Sequence, residues 1–212
     1  MRSTTLLLAA CAGGLLLASC ATPAAAPAPA APSEAARLSA SERLEALFAR
    51  SDEDFLRRNP LAALYRGDLR YADRFGDYLS DAYFEAERAA HRRELDALLA
   101  IDRDLLSPTD RIAYDVFRRD KEMELRRLAP EMLALTIVRP IDHFFGIHTG
   151  FADLSSGRGA APFRTVEDYD NNLRRIAGFV EQLDLAIARF REGMATGVVQ
   201  PRLVVDNVID QL

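Results

Sequence analysis

The chain has 212 residues, 49% of them apolar, and a formal net charge of −5 with a pI near 5.3. That length fits one ordinary domain with enough apolar side chains for a core. No basic patch or block of like charge supports nucleic-acid binding or a solvating tail, so nucleic acid is excluded as an expected partner.

The chain opens with a leader pattern. Arg2 supplies a short positive region and "LLLAACAGGLLLA" an apolar stretch of 13 residues, shorter than the roughly 20 apolar residues of a membrane-spanning helix. The stretch ends in Leu17-Ala18-Ser19-Cys20, which resembles the lipobox of bacterial lipoproteins, where the signal is cut before the cysteine and that cysteine is acylated. Residues 1–19 are then a signal peptide and Cys20 the lipid attachment site; the alternative is a plain cleavage site with Cys20 incidental. Cys11 leaves with the signal and Cys20 carries lipid, so no thiol remains for a disulfide, a metal or nucleophilic catalysis. By the same resemblance, Ala21 is not the aspartate that retains many lipoproteins in the inner membrane. The expected location is the cell envelope, lipid-anchored in the outer membrane and facing the periplasm. Residues 20–37, which include "ATPAAAPAPAAP", form an extended, semi-rigid Pro/Ala tether.

From Ser39 onward the periodicity is helical. Leu44, Leu47, Phe48 and Phe55 share a face, and Asn59-Pro60 breaks that helix. A second helix starts at the Ser80 cap and carries Phe84, Leu95 and Leu98 as far as about Ile101; His91 lies on the same stripe and reads as a core or rim residue. A third has Ser107 as cap, Pro108 at its first position and Asp110 near the positive end of the dipole, and runs to about Leu128 with Ile112, Val116 and Met123 on one side. "LALTIV", residues 133–138, fits a strand or a buried helix equally.

Thr165 and Asp168 form a variant capping box for the next helix. Along it, Tyr169, Leu173, Ile176, Val180, Leu183, Ile187, Phe190 and Met194 step by four and three into one seam of nearly four heptads. Such a seam requires a partner helix from this chain or from a second subunit, and an intramolecular bundle is the simpler source. Gly197 stops the helix. Pro201 opens another, with Val204, Val205, Val208, Ile209 and Leu212 apolar, and its unanswered face points to a chain that is incomplete at its C-terminus. The expected class is all-α: residues 38–212 as a helical bundle or partial helical domain with long amphipathic helices, and loops near 66–79 and 139–164.

"RPIDHFFGIHTG", residues 139–150, holds two of the three histidines. Five residues apart, His143 and His148 lie about 140° apart around a helix and on opposite faces of a strand, so only a loop could aim both at one ion. Gly146 and Gly150 allow a loop and Asp142 could add an oxygen, but zinc sites use tighter signatures. The plainer reading is a loop packed by Phe144, Phe145 and Ile147. Gly157-Arg158-Gly159 lacks a preceding strand and a third glycine, Ser155 and Ser156 lack a nucleophile elbow, and Arg66-Gly67-Asp68 reads as a solvated turn. No catalytic residue and no metal ligand is assigned.

Four stretches carry a family resemblance: "NPLAALYRGDLRYADRFGDYLSD", "LSPTDRIAYDVFRRD", "RPIDHFFGIHTG" and "PFRTVEDYDNNLRRIAGFVEQLDLAIARFREGMATGVVQPRLVVDNVIDQL". Together, over Ala36 to Leu212, they resemble the N-terminal part of the bacterial family known as domain of unknown function 885. The resemblance implies a mostly helical zincin-type metallopeptidase in which a His-Glu-x-x-His helix binds zinc and its glutamate activates water against a peptide carbonyl. That motif lies downstream of the matched region. The present sequence has no His-Glu pair, so no zinc ligand or catalytic glutamate carries over to it; no cofactor is expected in this chain, and the resemblance implies zinc for the full-length family. The expected role is the N-terminal helical portion of such a protein, forming part of a peptide-binding cleft that His143 and His148 line. The competing expectation is a complete, non-catalytic helical lipoprotein that binds a partner through the Tyr169 to Met194 seam.

Overall fold

The computed structural model describes residues 33–211; the expected signal peptide, Cys20 and most of the tether lie outside the described residues. Those residues hold eight α-helices and two short 3-10 turns joined by irregular segments, with no strand among them. α1 (Glu34–Arg58) starts ahead of Ser39 because Ser33 caps it, accepting the Ala36 N–H at 3.2 Å. It stops at Asn59, since Pro60 has no N–H to continue the ladder and instead opens α2 (Pro60–Tyr65). α3 (Asp81–Leu99) and α4 (Pro108–Arg127) begin at the expected Ser80 and Ser107 caps. α7 (Val166–Thr196) has the full capping box of Thr165 and Asp168, and α8 (Arg202–Ile209) follows Pro201.

Two shorter helices follow α4. "LALTIV" is helical rather than a strand up to Thr136, its first four residues ending α5 (Pro130–Thr136), which Pro130 starts at its first position. α6 (Ile147–Leu154) occupies the middle of the stretch expected to be loop, because Phe151 and Leu154 give it one inward edge.

The core has two centres. Leu44 and Leu47 of α1 meet Leu98 of α3 and Tyr114 of α4, with the Phe48 and Phe117 rings 4.9 Å apart. The second joins Leu64, Ala72, Leu154 and Ala161, beside an aromatic group in which Phe151 stacks on Phe179 at 4.0 Å and Phe75 meets both rings at 5.7 Å.

Two helices turn the expected face outward. On α4, Ile112, Val116 and Met123 are exposed while Tyr114 and Lys121 are buried. The reason is an ion cluster on the facing α3: Lys121 Nζ lies 3.0 Å from Glu94 Oε2, and Arg58 Nε donates to Glu87 Oε1 at 2.6 Å. Paired charges can be buried, and their pairing fixes which face of α4 turns inward. On α7 the buried positions are Asn172, Arg175, Gln182, Ala186 and Gly193, and most of the heptad seam faces out. The polar side docks because it meets loose backbone: Gln182 Oε1 accepts the Tyr78 N–H at 3.0 Å, and Arg189 Nε donates to the Leu79 carbonyl at 2.9 Å. Among the described residues the seam is covered only at its ends, where Tyr169 meets the Phe163 ring at 5.0 Å and Phe190 and Met194 lie against α8 (Arg202–Ile209), and no helix covers its middle.

Candidate functional site

Gly197, at φ 78°, ends α7 in the left-handed conformation, and the Val198 N–H closes back on the Gly193 carbonyl at 2.9 Å. The chain then reverses. Gln200 donates to the Ile141 carbonyl at 3.2 Å, and Pro201 starts α8 alongside the end of α7. Val204, Val205 and Val208 of α8 thereby face Val138, Phe190 and Met194 across a partly open groove of about 380 Å³, in which Gln200 is the one polar lining residue. Its size and apolar lining suit one aliphatic or aromatic group of a ligand.

The groove depends on Gly193. A Cβ there would stand 2.5 Å from the Val198 carbonyl oxygen and 2.9 Å from that of Val138, both backbone atoms that cannot rotate away. Gly193→Ala is expected to destabilise the fold by about 1–3 kcal/mol through overpacking, read as a lower melting temperature by circular dichroism. An unchanged melt would show that the α7–α8 turn yields freely.

The histidines lie beside this groove, and neither imidazole is among its lining residues. Asp142 Oδ1 accepts the N–H groups of Phe144 and Phe145, each at 2.7 Å, folding a tight turn. Those two N–H donors hold the Asp142 carboxyl below its usual range, with smaller help from the nearby His143 and His148. His143 sits on the turn and His148 in the first turn of α6. Gly146 has extended backbone, and its lack of a side chain is what admits the His148 ring: a Cβ would lie 2.5 Å from Nδ1. Gln211, just past α8, ties the two together, with its Oε1 3.0 Å from His148 Nε2 and its Nε2 donating to the His143 carbonyl at 2.9 Å. Phe144 and Phe145 are exposed rather than packing the loop, with the Phe144 ring 4.0 Å from that of His143. Gly150 lies within α6 and makes no loop.

The zinc implied by the resemblance finds no donor set here. Among the described residues no three His, Cys, Asp or Glu side chains converge on a point, and the carboxylate nearest the two histidines is already occupied by backbone donors. No helix of the described residues is long and apolar enough to cross a membrane. Ser155 donates to Asn172 and Ser156 to the Asp153 carbonyl, so neither hydroxyl faces a base.

His91 is a core residue, as its place on the apolar stripe indicated. It is buried with Nε2 3.5 Å from Glu87 and Nδ1 3.6 Å from Glu94. Sequence reading missed the charges around it, although Glu87, His91 and Glu94 recur at helical spacing along the stripe that ends in Leu98.

The geometry therefore defines an all-helical protein with one apolar groove rimmed by a Gln-bridged histidine pair. Residues 60–212 match the family described as bacterial protein of unknown function (DUF885), and the chain belongs to that family. No curated protein and no solved structure matches it.

Proposed function

We propose that this chain supplies an apolar side-chain subsite to a peptide-binding cleft in a lipid-anchored protein of the cell envelope. The observation that carries the reading is the groove between α8 and the end of α7, apolar within and carrying one polar lining residue, Gln200, whose Nε2 is held by the Ile141 carbonyl and whose Oε1, among the described residues, is free to accept. An extended peptide needs that combination: a dry recess for one side chain and a polar partner for its backbone. Burying a Leu or Phe side chain there is worth about 1.5–3 kcal/mol. His143 and His148 act as positioning residues for the rim, and the chain assigns no catalytic group. Hydrolysis of a bound peptide, the activity that the family resemblance implies, requires a metal-binding motif that these 212 residues do not contain.

Fluorescence anisotropy of fluorescein-labelled peptides tests the subsite. A Leu- or Phe-containing peptide is expected to bind saturably, and Val205→Glu, which puts a charge into the groove, to weaken binding about tenfold or more. Binding that is equal in Val205→Glu and the parent chain removes the groove from the site. The anchor is tested separately. Cys20→Ala is expected to abolish incorporation of labelled fatty acid and to shift the protein out of the membrane fraction; an unchanged distribution refutes the anchor.

A further inference from the structure

We infer that the outward seam of α7 is an interface between two copies of this chain, paired antiparallel about a two-fold axis between Val180 and Leu183. This goes beyond the peptide-subsite reading and does not rest on it, and Phe190 and Met194 belong to both surfaces, lining the groove and closing the outer layers of the seam. Tyr169, Leu173, Ile176, Val180, Ile187 and Met194 are 38% to 65% exposed, and the seam from Tyr169 to Met194 is about 38 Å long at 1.5 Å per residue. An apolar stripe of that length is not left in water by a stable monomer. The opposite face is already taken: Arg175, Gln182 and Arg189 bond to the segment from Ala72 to Asp81. A partner can approach only from outside.

Register and charge select a second copy. In the antiparallel register, Tyr169 meets the partner's Met194, Leu173 the partner's Phe190, Ile176 the partner's Ile187, and Val180 the partner's Leu183. Every layer is apolar, and the same four contacts recur on the other side of the axis, as an isologous interface requires. The flanking charges agree. Asp170 then lies beside the partner's Arg191, and Arg174 is within reach of the partner's Asp184. Among the described residues, the ion pairs made by α7 are those of Arg189 with Asp81 and Glu192, so none of these four charges is in an ion pair, and Arg174 only donates to Asn171 of its own helix at 3.0 Å. A parallel pairing instead sets Asp170, Asp184 and Arg191 opposite the uncharged Thr165, Phe179 and Ala186 of the partner, makes no ion pair, and aligns the two helix dipoles.

The test is the molar mass of the full chain, extracted in detergent and followed by light scattering up to about 100 µM, a range that reaches weak interfaces. The expected result is a dimer. Asp170→Arg, which faces Arg191, is expected to weaken it about tenfold. The double variant Asp170→Arg with Arg191→Asp is expected to restore the dimer, and circular dichroism should be unchanged in both, since the two side chains are exposed. Ile176→Asp should give a folded monomer. A monomeric parent chain, including one that captures a different protein through the seam, overturns the proposal, and so does a dimer indifferent to these substitutions.

Discussion

Arg175→Ala is expected to lower the unfolding free energy by about 3–4 kcal/mol, combining a cavity with a stranded hydrogen-bond acceptor. Arg175 is 1% exposed although it is an arginine in the middle of a long surface helix. Its guanidinium bonds to the Ala72 carbonyl and, at 3.3 Å, to Asn172 Oδ1, while Nε has no partner. Burial pushes its pKa down, and among the described residues no carboxylate is in an ion pair with it. It is a peg that holds α7 to the segment from Ala72 to Tyr78 through a backbone carbonyl. Alanine removes the peg and leaves that carbonyl dry. Arg175→Met keeps most of the volume and removes the buried charge, so its loss should be well under that of alanine. Urea unfolding followed by helical ellipticity measures both; a cost below about 1 kcal/mol for alanine would mean that the site refills with neighbouring side chains or water.

The second large effect is acid instability centred on Glu94. Burial opposes ionisation of this carboxyl, but the His91 contact and Lys121 outweigh it and bring its pKa from 4.5 to about 2. Because the folded-state pKa lies below the unfolded one, the stabilisation is complete above pH 4.5 and is lost as pH falls from there toward 2. Up to about 3 kcal/mol is at stake over that window. Glu94→Gln should flatten the slope of stability against pH between those limits. At neutral pH it should cost about 1.5–3 kcal/mol, because Lys121 loses its buried partner and keeps only the exposed Asp120 carboxylate at 3.5 Å. Denaturant titrations at several pH values on parent and variant decide it: parallel slopes would place the acid-sensitive group elsewhere.

Most helix starts were legible because caps are local. Ser80, Ser107, Thr165 with Asp168, and Pro201 each announce a start through one side chain or one missing N–H. Which face turns inward was less legible. On α4 and α7 the apolar periodicity was real, yet the inward positions hold Lys121, Arg175 and Gln182, whose contacts on the facing segments, Glu94, Ala72 and Tyr78, sit more than twenty residues away in sequence. Periodicity reports that a face is apolar and is silent on what covers it. The histidine loop was half legible. Two histidines five apart could be aimed at one ion only from a loop, and His148 lies in α6 with His143 outside it, while the bridge by Gln211 depends on where α8 ends in space. The groove was foreshadowed only by the valines after Pro201.

The burial of Lys121 gives the chain a built-in reporter. It is the only lysine in 212 residues, and its ammonium is held between Glu94 and the Phe117 ring. A lysine-specific protease therefore has one cleavage site in the whole sequence, and that site is closed while α3 and α4 stay together. The cutting rate under native conditions would follow the opening of that helix pair alone, a local free energy read from a single band on a gel.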